Sequence, residues 1–175
     1  FLTYLSYVSF FGGEPFATNN HLDFMQFLID KDLAKNITIE YTTNCTLTPT
    51  QEWIDRIKLF KKVIVICSID GVGVVNDKIR TGSKWSKIAE TFNFYKTLDI
   101  ELNVNTVVMT ENIFHLIELS EWVDANAVDI WSCNVLTWPT ELSIRTLPNA
   151  DKQQLYPIIA NSNITDKQFI LEQLK

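Results

Sequence analysis

The sequence has no apolar run of the roughly 18 residues that a membrane-spanning helix requires. It also has no cluster of lysine and arginine of the kind that marks a nucleic-acid surface. Neither a bilayer nor a nucleic acid is therefore an expected partner. The opening stretch, "FLTYLSYVSFF", carries no cationic leader and no small-residue cleavage site, so it does not read as a secretory signal. Cysteine is scarce: Cys45, Cys67 and Cys133 are odd in number and far apart. That argues against a disulfide framework and for a reducing, cytoplasmic setting. N-x-T triplets begin at Asn36, Asn44 and Asn163, but such triplets arise often by chance, and without a leader glycosylation is not expected. There is no internal repeat, low-complexity tract or linker. The first residue is Phe1 rather than a methionine, so the chain reads as a piece of something longer.

What remains is an ordinary globular composition. The 175 residues are 46% hydrophobic and 21% charged, with 15 basic and 21 acidic residues and a formal charge of −6. That length fits one domain with a real core.

Apolar runs and helical patterns alternate along the chain. Strands are expected at "YVSFF" (7–11), "ITIEYTT" (37–43), "VIVICSI" (63–69), "IELNVNTVVM" (100–109) and "AVDIWSCNV" (127–135). The continuous apolar run at 63–69 suggests a strand covered on both faces. Helices are expected at 21–34, 48–60, 84–98 and 112–123. Thr48 is the predicted cap of the second, with Pro49 at its first position, and Asn112 the predicted cap of the fourth. "DKQQLYPIIA" and "DKQFILEQLK" read as short closing helices. Such alternation implies a parallel sheet with helical crossovers, either an open sheet or part of a β/α barrel.

In such folds the ligand site lies at the C-terminal ends of the strands. Those ends carry Gly12, Gly13, Glu14 and Pro15; Thr42, Thr43 and Asn44; Ser68, Asp70 and Gly71; Asn103, Asn105 and Thr106; and Ser132, Cys133 and Asn134. In "FGGEPF" the glycines let backbone approach a ligand, and Pro15 removes an amide donor. Free carbonyls beside the Glu14 carboxylate would suit an ammonium; a tight turn with a solvated glutamate is the other reading. Asp70 can accept from a ribose diol, and Arg80 can fork a carboxylate, while a surface salt bridge is the plainer alternative. The "GVG" at 71–73 lacks the third glycine and the context of a dinucleotide fingerprint. Cys67 reads as core, and Cys45 and Cys133 as fillers at strand ends.

Taken together, "FFGGEPF", "IEYTTNCTLT", "ICSIDGVGVVNDKIRTG" and "VNTVVMTENIFHLIEL" resemble the radical S-adenosylmethionine (SAM) superfamily, in particular its SPASM or twitch branch. The match runs in order over roughly residues 5 to 125, and "NVLTWPTELSIRTLP" is similar to the start of a twitch extension. The resemblance implies an α/β fold: a partial (β/α) barrel of parallel strands over residues 1–136, missing its first β/α unit, and a helical extension over 137–175. It implies that Gly12, Gly13, Glu14 and Pro15 contact the methionyl ammonium of SAM. By the same resemblance Ser68 and Asp70 lie near the ribose, Arg80 grips the methionyl carboxylate, Thr43 and Asn44 line the pocket, Val107 and Val135 pack the adenine, and Asn105 is a further cofactor-binding candidate. The parent protein would be an iron–sulfur oxidoreductase or transferase that cleaves SAM to a 5′-deoxyadenosyl radical, with a peptide among its candidate substrates. The family holds a 4Fe-4S cluster in a CxxxCxxC loop, a spacing absent here, so this piece is expected to lack the cluster and to be inactive alone. A non-catalytic nucleoside-binding module, or a plain α/β scaffold, is the alternative. Without a preceding strand, the 7–11 strand would be an aromatic, uncharged sheet edge, and self-association through residues 1–11 is expected.

Overall fold

A computed structural model describes residues 2–175, apart from the Thr3 side chain. Five strands form one sheet in the order β1-β2-β3-β4-β5: Tyr7–Phe10, Thr38–Thr43, Lys62–Ser68, Glu101–Val108 and Ile130–Val135. The pairs β1–β2 and β2–β3 are parallel, running from Tyr7↔Thr38 to Phe10↔Tyr41 and from Thr38↔Lys62 to Thr43↔Cys67. The helices are α1 (Asn20–Asp30), α2 (Gln51–Ile57), α3 (Val74–Ile79), α4 (Trp85–Tyr95), α5 (Leu116–Ala125), α6 (Asn149–Ala160) and α7 (Lys167–Gln173). The sequence pattern anticipates every one of these except α3, whose six residues are too few to show a period. No helix of the described residues is long and apolar enough to cross a membrane.

The chain divides into two compact units. The first comprises the chain through Ser68 with Ser86–Asn103, the second Ile69–Trp85 with Val104–Lys175.

In the first unit the strands alternate. Ile39, Tyr41, Val63, Val65 and Cys67 are buried against the helices, whereas Thr38, Glu40, Ile64 and Ile66 are half-buried. The apolar run of β3 is thus fully covered on one face only. Strands taken in sequential order with crossovers of a single hand place their helices on one side of the sheet, as in a barrel. A ring cluster fills that side: Phe16 stacks on Tyr41 at 5.1 Å and meets Trp53 edge-on at 5.4 Å, and Phe10 stacks on Tyr41 at 4.7 Å. The other face carries polar pairs: Ser9 donates to Glu40 (2.8 Å), and Asn103 donates to Glu101 (2.8 Å). The cap of α2 is Thr50, whose Oγ1 accepts from Trp53 N (3.3 Å); Thr48 and Pro49 precede the helix. The shift of two residues follows from geometry, because the cap oxygen must reach the third amide of the helix. Strand β1 ends the sheet order, with Tyr7 46% and Phe11 76% exposed. Phe1, part of the expected self-association segment, lies outside the described residues.

In the second unit, β5 and residues 137–175 belong together. Asp166 Oδ2 accepts from Cys133 N of β5 (3.0 Å). Helices α6 and α7 are joined by Lys167, whose Nζ donates to the carbonyls of Ala160 (3.2 Å) and Ser162 (2.6 Å), closing the end of α6.

Candidate functional site

The strand-end residues fall into one cluster in each unit. In the first unit the chain leaves β1 through Gly12 (φ +87°) and Gly13 (φ +59°), conformations that favour glycine. A Cβ on either would meet no atom within 4 Å, so the protein's own demand for glycine is conformational rather than a matter of space. That turn aims Glu14 back at the end of β2. Glu14 Oε1 accepts from Thr43 Oγ1 (2.8 Å) and from Phe16 N (3.4 Å), and Oε2 accepts from Asn44 N (2.9 Å). Pro15 opens a short 3-10 turn, Pro15–Ala17, capped by Glu14. Thr43 Oγ1 also accepts from Cys45 N (3.0 Å), and Asn44 Oδ1 accepts from Thr46 N (2.9 Å) and Thr46 Oγ1 (2.6 Å). A carboxylate has about four lone-pair sites, and three protein donors leave Glu14 room for one more. Ser68, the last residue of β3, is half-buried.

In the second unit the centre is Asp70, 3% exposed. Its Oδ1 accepts from Val107 N (2.8 Å), and its Oδ2 lies 2.9 Å from Arg80 Nε, an ion pair without the alignment of a hydrogen bond. Its own N donates to Asn76 Oδ1 (2.9 Å), and its carbonyl accepts from Asn112 Nδ2 (2.9 Å). Asn105 Oδ1 accepts from Ser132 Oγ (3.1 Å) and Asn134 Nδ2 (2.9 Å). Val107 is half-buried in β4 and Val135, the last residue of β5, is buried. Thr106 Oγ1 donates to Ile69 O (2.7 Å) and accepts from Trp131 Nε1 (2.9 Å), so Trp131 is a fixed core group.

The sequence-derived candidates thus gather as Gly12, Gly13, Glu14, Pro15, Thr43 and Asn44 in one unit, and as Asp70, Arg80 and Val107 in the other. The pairing of Glu14 with β2 by hydrogen bonds is invisible in sequence, as is the commitment of Asp70 to Arg80 and Val107. Asn76 and Asn112 were missed as site residues. Asn112 does cap a 3-10 turn, Ile113–His115, but its side chain makes no cap bond and is turned inward instead. Its one signal was its place in the short loop between a strand and the following helical turn.

All three cysteines are buried free thiols. Burial above all, then a bond to Cys45, pushes the Cys67 thiol well up. Burial, then the Asp166 and Asp70 carboxylates, push Cys133 up to about 12. Among the described residues no three His, Cys, Asp or Glu side chains gather as a metal site. Buried thiols that form no three-ligand group among the described residues do not fit a three-thiolate cluster, and no step is derived through one.

No family model matches the chain, and no curated protein matches it. Solved structures do. Streptococcus suis SuiB bound to S-adenosylmethionine aligns with a TM-score of 0.62 at 18% identity, over 89% of this chain and 34% of that one. The anSMEcpe structure with bound AdoMet and Cp18Cys peptide aligns at 0.67 and 18% identity, over 91% of this chain and 48% of that one. The structure of TYW1 with a lysine-pyruvate adduct aligns at 0.56 and 17% identity, over 90% of this chain and 51% of that one. At these identities the likeness is one of fold. The chain has an α/β fold with parallel β/α units, shared with proteins whose structures hold AdoMet. It spans 34% to 51% of the length of these matched proteins.

Proposed function

We propose that the chain is the SAM-binding part of a radical SAM enzyme of the SPASM or twitch type. The observation that carries this reading is the Glu14 carboxylate, fixed after the Gly12–Gly13 turn by Thr43 and Asn44, in a fold shared with AdoMet-bound proteins. Glu14 has the capacity to accept from a methionyl ammonium. Arg80, ion-paired to Asp70 through Nε, has a side chain that is 26% exposed, and its guanidinium is assigned to fork a methionyl carboxylate. Ser68 and Asp70 are assigned to the ribose, Val107 and Val135 to the adenine, and Asn105 to the same cofactor pocket. In a parent enzyme of that kind a 4Fe-4S cluster would supply the electron that cleaves SAM to a 5′-deoxyadenosyl radical, while the residues of this chain would bind and orient the SAM; a peptide is the substrate class we choose. Residues 1–136 are proposed as the β/α-barrel part of that enzyme and 137–175 as an extension of it.

A second reading, a non-catalytic SAM or nucleoside binder, is supported by the cysteines, all three of them buried free thiols. Calorimetric titration of the chain with S-adenosylmethionine tests both against a plain scaffold. Binding that is weakened by Glu14→Gln and by Arg80→Ala supports a SAM site, and no heat from the unmodified chain removes it. The coding sequence before Phe1 then separates enzyme from binder, a CxxxCxxC there marking the enzyme. The open β1 edge is proposed to self-associate through residues 1–11, and elution as a monomer at high concentration would refute that.

A further inference from the structure

We propose that Asn112 is the positioning residue for Arg80: by latching the Asp70 loop to the end of β4, it fixes where the guanidinium meets a ligand carboxylate. This deepens the SAM reading and rests on it. Asn112 is fully buried, and its carboxamide uses both donors and its oxygen. Nδ2 donates to Asp70 O (2.9 Å) and to Val107 O (2.8 Å), and Oδ1 accepts from Met109 N (2.8 Å). Two donors and one acceptor at that spacing are what a carboxamide supplies; an aspartate or a leucine of similar shape has no donor at all.

The latch reaches Arg80 through Asp70. With its carbonyl held by Asn112, Asp70 presents Oδ1 to Val107 N and Oδ2 to Arg80 Nε. Asn76, also fully buried, closes the loop from the other side: its Oδ1 accepts from Asp70 N (2.9 Å), and its carbonyl accepts from Arg80 N (2.8 Å). Arg80 is therefore tied at its backbone through Asn76 and at its side chain through Asp70. Asn112 adds a second tie between that loop and the end of β4, beside the bond from Val107 N to Asp70 Oδ1. A long side chain carries large rotamer entropy, and a guanidinium already held through Nε loses less of it on meeting a carboxylate.

The test is a double-mutant cycle on the 175-residue chain with S-adenosylmethionine as the probe, read by calorimetry. The Arg80 Nε–H signal is followed alongside in ¹⁵N NMR, and thermal unfolding confirms the fold. Asn112→Ser is expected to weaken binding about tenfold. Added to Arg80→Ala it should weaken binding no further, and alone it should shift or broaden the Arg80 signal. Additive losses, or an unmoved Arg80 signal in folded Asn112→Ser, overturn the proposal. Should the unmodified chain take up no S-adenosylmethionine, the SAM reading falls, and the Arg80 signal alone decides whether Asn112 positions it. Where Asn112→Ser does not fold, Asn112→Asp, which keeps an acceptor for Met109 N and loses both donors, is put through the same cycle, with the same pattern expected and the same results fatal.

Discussion

Glu14 in the first unit and Asp70 in the second are both carboxylates held at strand ends, and they are held by different means. Glu14 is half-buried and bound by neutral donors, one hydroxyl and two backbone amides. Beside it lies a ring core in which Phe16, Tyr41 and Trp53 pack at 5.1 to 5.5 Å. Asp70 is buried, shares its charge with Arg80, and sits in a loop stapled by two buried asparagines. The difference follows burial. A carboxylate with one side toward water needs only donors, whereas one withdrawn from water needs a counter-ion and complete hydrogen bonding. The first cluster should therefore answer to packing changes and the second to polar ones.

The largest effect expected is in the ring core. Trp53→Ala should cost about 4 kcal/mol in urea unfolding, since Trp53 has no exposed surface. A loss below about 1 kcal/mol would break the comparison at its apolar end. Next comes Asn112→Ala, which strands the buried Met109 amide and the carbonyls of Asp70 and Val107. About 3 kcal/mol should go, with hydrogen exchange quickened at Met109 and Val107. Protection unchanged there would show that the second unit does not depend on its amide staple.

The pH dependence of stability sharpens the contrast further. His21 in the first unit is held below its ordinary value of 6.5, by burial first and then by Arg56, with Thr18 and Glu52 acting the other way. Its Nδ1 lies 2.9 Å from Tyr41 Oη, and that phenol donates to the Met25 sulfur (3.2 Å). With its folded value depressed, the unfolded chain binds the proton more readily. Stability present above pH 6.5 is thus lost as pH falls through 6.5 toward the folded value. Unfolding curves across that window should show the loss in the parent chain and not in a folded His21→Phe variant; an identical slope in both removes His21 as the cause. The smallest effect is at the α2 cap, where Thr50→Ala should cost about 1 kcal/mol, read as a lowered urea midpoint. Thr48→Ala should cost less, because Thr48 lies outside the helix.

Much of the fold was legible because its periods are strong. The alternation in "ITIEYTT" and the helical spacing of Leu22, Met25 and Leu28 each report a buried face directly. The run "VIVICSI" misled about coverage, since apolar residues on a half-open face look the same in sequence as residues buried on both. Helix α3 left no period to read, and Thr48 competed with Thr50 because both precede α2 with the same side chain. For the candidate clusters, sequence supplied the residue types at the strand ends. It could not show that Glu14 is spent largely on Thr43 and Asn44, or that Asn112 faces inward.

By themselves the residues determined the succession of strands and helices, the crowding of polar groups at strand ends, and the glycine pair that makes the turn before Glu14. Those properties are local: they follow from side-chain period, backbone freedom and turn chemistry within a few positions. Which donor meets which acceptor was decided only by the tertiary structure. Asp70 lies 37 residues from Val107 and 42 from Asn112 in the chain, and a hydrogen bond forms only when packing of the sheet and its loops brings the atoms within about 3 Å.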